Sequence, residues 1–178
     1  MEPGRRALLL LIGLGGTSVL GSYVLAFAYE PEIRGALWGG IPEGAMQTFY
    51  TVNMLLAAAS FFPATAALGF ATPIAAFREH TGLGFEALLG AYAAILVPSA
   101  AWLPLTALYI QSPSDVLWWA IRLDLFAVGA GASVVGWMLI RRARSGPGWI
   151  TAAAALFFFF WLQTMVLDAL VWPAFFPR

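Results

Sequence analysis

The sequence predicts an all-α fold: a polytopic membrane bundle of five transmembrane helices, forming one integral domain over residues 1–178. Three observations carry this expectation. Hydrophobic residues make up 61% of the chain and charged residues 10%, against about 25% charged in ordinary soluble domains. Uncharged runs cover residues 7–29, 44–77, 87–114 and 145–167, each exceeding the roughly 20 residues that cross a hydrocarbon core. No hydrophilic segment between them is long enough to fold alone, so a single domain follows.

The first span is expected over about 7–29, after Arg5 and Arg6. Its end carries Ala26-Phe27-Ala28, which has the form of a signal-peptide cleavage site. The apolar run is about twice the length of an ordinary signal core, so a retained helix is expected. Residues 30–45 form the longest connection, with Trp38, paired glycines and prolines that suit a turn-rich loop or a short interfacial helix. The second span is expected over about 46–71 and contains Pro63; the third, over about 85–110, contains Pro98 and Pro104. Proline removes a backbone donor and crowds the preceding turn, so bends are expected at these points. Thr81–Glu86 contains a G-x-G, but no strand precedes it, and it reads as the start of the third span with Glu86 at a helix N-terminus. His80 reads as a loop histidine. The fourth span is expected over about 116–140 and the fifth over about 149–172, where Phe157–Trp161 covers every face of a helix. Trp38, Tyr109, Trp149 and Trp172 sit at span ends and read as interfacial anchors.

Arginine placement sets the expected orientation. Arg5 and Arg6 precede the first span, and Arg141, Arg142 and Arg144 follow the fourth, so five spans put both groups on one side. The positive-inside rule then places the N-terminus in the cytoplasm and the C-terminus outside, in a plasma or inner membrane. The connection 30–45 falls outside.

Several function classes are excluded. A formal net charge of zero gives no nucleic-acid footprint. The chain has no cysteine and one histidine, which removes thiol chemistry, thiolate metal sites and multi-histidine metal or haem ligation. No catalytic motif spacing appears, and no cofactor is indicated.

The polar residues inside the spans are the informative ones. With a rise of about 1.5 Å per residue, Arg122 and Asp124 fall roughly 9 to 12 Å from the outer end of the fourth span. Asn53 falls about 10 Å deep in the second span, Asp168 about one turn inside the fifth, and Gln163 and Thr164 slightly deeper. Three helices thus bring polar groups to the outer half of the bilayer. Successive residues turn about 100°, so Arg122 and Asp124 point to different faces. Arg122, beside Trp118 and Trp119, is expected to pair with Asp168, to lie over an indole ring, or to reach the outer headgroups. Asp124, on a face of small residues, is expected to point into the bundle toward Asn53 or Tyr50. The candidate ligand-binding residues are therefore Tyr50, Asn53, Trp118, Trp119, Arg122, Asp124, Gln163, Thr164 and Asp168, with no metal site.

Intramembrane charges serve structure or function, and three classes follow. One is a pocket in the outer half binding or transporting a lipid or a small apolar or amphipathic ligand. Another is an accessory subunit, or a homo-oligomer, joined through small-residue faces such as Gly13, Thr17 and Gly21 in the first span or Gly129, Ser133 and Gly136 in the fourth. The third and weakest is an intramembrane enzyme using Asp124 or Asp168 as a general acid or base. Length and span number are similar to those of the translocator-protein group. No stretch matches that family's motifs and the expected orientation is opposite, so no residue role carries over.

Overall fold

In an apolar medium every backbone polar group must be satisfied internally, and a single chain segment achieves this as a helix. The structure is a computed structural model that describes residues 2–29 and 33–177; no strand occurs among the described residues. Helix α1 spans Pro3–Tyr29, α2 Ile33–Ala36, α3 Ala45–Thr65, α4 Phe77–Thr81, α5 Phe85–Gln111, α6 Asp115–Ala143, α7 Gly148–Trp161 and α8 Trp172–Phe175. Two of these continue beyond their α-helical part as wider π-helical turns: α3 through Ala66–Phe70 and α7 through Leu162–Val171. Counting those extensions, five helices are long and apolar enough to cross a membrane.

The spans stand close to their expected bounds, with one difference in detail, at His80. Helices α3 and α5 run on past Pro63, Pro98 and Pro104. After Pro63 the hydrogen-bond register widens, so that the Ala71 N–H donates to the Ala66 carbonyl at 2.9 Å. His80 belongs to the short helix α4, which ends at Gly82 with φ of 83°, the left-handed conformation that stops helices. Helix α6 starts where Ser114 Oγ accepts from the Leu117 N–H at 3.3 Å, with Asp115 in the first turn complementing the helix dipole.

The long helices pack in the order α1, α5, α6, α7, α3. Glycines set several of these seams. A Cβ on Gly131 of α6 would lie 2.7 Å from the Ala91 carbonyl of α5, and one on Gly129 would lie 3.0 Å from the Met165 Cα. At the arginine-rich end the order closes on itself, since a Cβ on Gly69 after α3 would lie 2.6 Å from Leu8 of α1. Among the described residues, α1 has no comparable packing against α3 itself. Helix α1 is correspondingly the least buried span.

Two cores result. The larger fills the arginine-rich end and the middle, around Leu8, Leu68, Tyr92, Met138 and Phe157. The other fills the opposite, distal end and is largely aromatic. There Trp172 lies 4.3 Å from Phe176 between ring centroids and 6.5 Å from Trp118, with Tyr109 against both Trp118 and Phe176. Tyr109 and Trp172, expected as interfacial anchors, are therefore core residues, and Trp172 Nε1 donates to the Leu37 carbonyl at 2.7 Å. Rings that meet across helices remove more apolar surface than rings lying at an interface. The 30–45 connection is drawn onto this core: the Gly40 N–H donates to the Phe175 carbonyl at 2.8 Å, and a Cβ on Gly40 would lie 2.6 Å from that oxygen.

Candidate functional site

The intramembrane polar residues separate into two groups. The first joins α3 to the π segment after α7. Asn53, 2% exposed, donates through Nδ2 to Gln163 Oε1 at 2.9 Å and to the Phe159 carbonyl at 3.2 Å. Gln163 Nε2 in turn donates to Asp168 Oδ1 at 2.8 Å. One turn away, Tyr50 donates to the Leu167 carbonyl at 2.7 Å. The π geometry makes this relay possible. In an α-helix, residues five apart diverge, whereas bonding from i to i+5 stacks them on one side. Gln163 and Asp168 are five apart. Thr164 is buried but bonds within its own segment, to the Phe160 carbonyl at 2.9 Å.

Asp168 is half-buried, and both Tyr23 of α1 and Tyr50 of α3 lie within reach of its charge. The Trp102 ring of α5 sits 6.2 Å from Tyr23 and 5.8 Å from Trp172. The segment that carries Asp168 thus lies near aromatic rings: Tyr50 of α3 bonds to Leu167, and Trp102 of α5 packs on both Trp172 and Tyr23 of α1.

The second group is Arg122 and Asp124, and the expected divergence of their faces holds. Residues seven apart lie nearly in line on a helix. Gly129, seven beyond Arg122, packs on Met165, while Gly131, seven beyond Asp124, packs on Ala91 and Ile95. Arg122 therefore lies on the flank toward α7 and Asp124 on the flank toward α5. The expected partners differ. Arg122 does not pair with Asp168, and neither residue enters an ion pair among the described residues. Its guanidinium lies 5.4 Å from the Phe126 ring centroid, one turn along the same helix, so the ring it meets is a phenyl and not the expected indole. Asp124 does not meet Asn53 or Tyr50, whose polar atoms are turned toward the α7 π segment instead. The physical reason is angular: α7 lies on the Arg122 flank, away from Asp124.

Buried polar atoms without a hydrogen-bond partner occur on α5 and α6, besides Arg5 Nε of α1. Arg122 Nε and Asp124 Oδ2 are two, and Trp102 Nε1 and Thr106 Oγ1 of α5 are two more. Trp102 and Thr106, four residues apart, share one face of α5. Trp118 is 2% exposed and belongs to the aromatic core, whereas Trp119 is 59% exposed on the outward face and joins neither group. Tyr23, Trp102 and Thr106 were not among the sequence candidates, although the four-residue spacing of the last two was visible.

Two open grooves lie elsewhere. One of about 310 Å³ runs between α6 and α7, lined by Ser133, Trp137, Phe157 and Trp161 among others, and one of about 280 Å³ lies at the α5–α6 turn beside Trp118 and Asp115. No group of residues suited to hold a metal ion occurs among the described residues.

The chain matches no protein-family model, no curated protein and no solved structure.

Proposed function

We propose that this membrane protein binds a small amphipathic ligand in the distal half of the bundle, on the side between α1 and α3, with Asp168 as its polar anchor. The observation that carries the reading is the Asn53–Gln163–Asp168 relay. It holds one carboxylate oxygen in place on a π-helical segment that Tyr50 bonds to at Leu167, with Trp102 and Tyr23 packed in sequence from Trp172. Long π segments are rare and frequent at functional sites. An acid inside a span is costly and functional by default. Aromatic walls with a few convergent polar groups are what small-molecule sites present. The orphan polar atoms of Trp102 and Thr106 add hydrogen-bonding capacity on the neighbouring helix.

The test is mass spectrometry of small molecules retained by protein extracted in mild detergent. The wild type should carry a bound species, and Asp168→Asn should retain it at least about tenfold less well, the scale of a lost charge-assisted hydrogen bond. Equal retention by the two proteins would sink the reading. A second reading, a subunit of a larger membrane assembly, is favoured by one observation: a Cβ on Gly13, Gly16 or Gly21 of α1 would meet nothing within 4 Å. Bare small-residue faces suit close helix contacts. Cross-linking from Gly13→Cys in membranes separates the two readings.

A further inference from the structure

Runs such as Arg5-Arg6 and Arg141-Arg142 ordinarily end in water or at headgroups, each side chain fully solvated. Arg142 departs from this, being 8% exposed in the last turn of α6. Its Nε donates to Thr72 Oγ1 at 3.1 Å. Thr72, fully buried, is held in turn by a hydrogen bond from its hydroxyl to the Ala67 carbonyl at 2.8 Å, across the π turn that ends the second span. Arg5 arrives from α1 at the same residue: its Nη2 donates to the Thr72 carbonyl at 3.2 Å and to the Phe70 carbonyl at 3.4 Å. Two guanidinium groups from different helices therefore meet around one threonine.

Their counter-charges are sparse. Arg5 Nε lies 3.7 Å from a Glu2 carboxylate oxygen, an exposed partner near the chain start. Arg142 has no carboxylate within 4 Å among the described residues, and its two terminal nitrogens make no hydrogen bond there. Of the other acids at this end, Glu86 is engaged by Arg78 at 3.3 Å and both are exposed. The space beside Arg142 Nη1 is kept by a glycine, since a Cβ on Gly146 would lie 2.8 Å from that nitrogen. Helix-end carbonyls offset part of the cost of burying these cations. They leave Arg142, 8% exposed as a residue, without a paired anion among the described residues, which is unfavourable unless an anion joins it.

We propose that Arg5 and Arg142, converging on Thr72, form a binding site for a phosphate group, supplied by the headgroup of an anionic phospholipid. Guanidinium forks match phosphate oxygens in geometry and charge. Both arginines lie in the terminal turns of membrane-length helices, and a helix of that length brings its ends to the headgroup region of a bilayer. Basic pockets between helices at that level recognise anionic headgroups. Arg6, Arg141 and Arg144 add positive potential around the site without touching Thr72. This site lies at the opposite end of the bundle from Asp168 and does not depend on the ligand proposed there.

The experiment is native mass spectrometry of the full-length protein in detergent, titrated separately with phosphatidylglycerol and phosphatidylcholine. Thermal unfolding with and without millimolar inorganic phosphate runs in parallel. Wild type should take its first phosphatidylglycerol at least about fivefold more tightly than phosphatidylcholine, and Arg5→Gln or Arg142→Gln should each weaken that step about fivefold. Arg6→Gln removes the same charge off the site and should leave the step unchanged. Gly146→Ala, which crowds Nη1 while keeping every charge, should weaken it too and serves if Arg142→Gln does not fold. Phosphate that stabilises wild type but not Arg5→Gln or Gly146→Ala, with no lipid preference, supports the site and assigns it to a soluble phosphate. Equal binding of the two lipids without phosphate protection overturns the proposal. So does an Arg6→Gln effect as large as that of Arg5→Gln.

Discussion

At the arginine-rich end, Arg5 and Arg142 reach the oxygen atoms of a π turn following α3; at the distal end, Asn53 reaches from α3 into the π segment following α7 and, through Gln163, orients Asp168. Both places use a widened helix, to different ends. In the first, the wider turn presents the Phe70 and Thr72 carbonyls to cations, and α1, α3 and α6 are drawn together around Thr72. In the second, the wider turn aligns an amide with an acid five residues on, and α1 approaches through Tyr23 without packing along α3. The difference teaches that guanidinium groups fasten helices through some donors and keep others for an anion, whereas a carboxylate held by a single amide keeps its second oxygen.

Substitutions test this contrast, beginning with the seam that both ends share. Gly131→Ala puts a methyl 2.7 Å from the Ala91 backbone oxygen and must part α5 from α6. It should cost about 3 kcal/mol of stability, visible in thermal or detergent-induced unfolding. A wild-type midpoint would mean that the α5–α6 seam yields easily, and the ends could not be compared as parts of one rigid bundle.

Asn53→Ala comes next, at the distal end. It strands the buried Gln163 Oε1, at about 2 kcal/mol, and the loss should appear as faster amide exchange in 162–171 with 66–72 unchanged. Thr72→Val strikes the other end, removing the acceptor for Arg142. About 1 kcal/mol is expected, with exchange rising around 66–72 instead. Exchange that rises at both ends in either variant would erase the distinction between them. The smallest effect belongs to α1. Gly15→Ala meets Leu96 Cβ at 2.8 Å and should destabilise, whereas its neighbour Gly16→Ala meets nothing within 4 Å and should lie within about 0.5 kcal/mol of wild type. Equal losses in the two would place a packed face where α1 is open.

Much of the fold was legible because the bilayer's demand is a matter of length and polarity. Uncharged runs near 20 residues give helices whatever their neighbours do. The divergence of Arg122 and Asp124 was legible for the same reason, since it follows from the turn per residue alone. Their partners were not. The pairing of Arg122 with Asp168 assumed that the whole fifth span is α-helical, and ten residues of it, Leu162–Val171, are π-helical. Changing the turn per residue re-aims every side chain beyond the change, so Asp168 meets Gln163 instead. The role of Tyr109 and Trp172 was misread because an aromatic at a span end suits an interface or a core equally well by sequence.

The sequence by itself determined five apolar helices, their approximate ends, the absence of thiol chemistry and the opposite faces of Arg122 and Asp124. Each is a property of composition or of helical geometry, which a residue carries with it. The tertiary structure alone decided that Asn53, Gln163 and Asp168 form one relay and that two arginines separated by most of the chain meet at Thr72. Those outcomes rest on helix order and on where the backbone widens, and both are set by packing among side chains far apart in sequence.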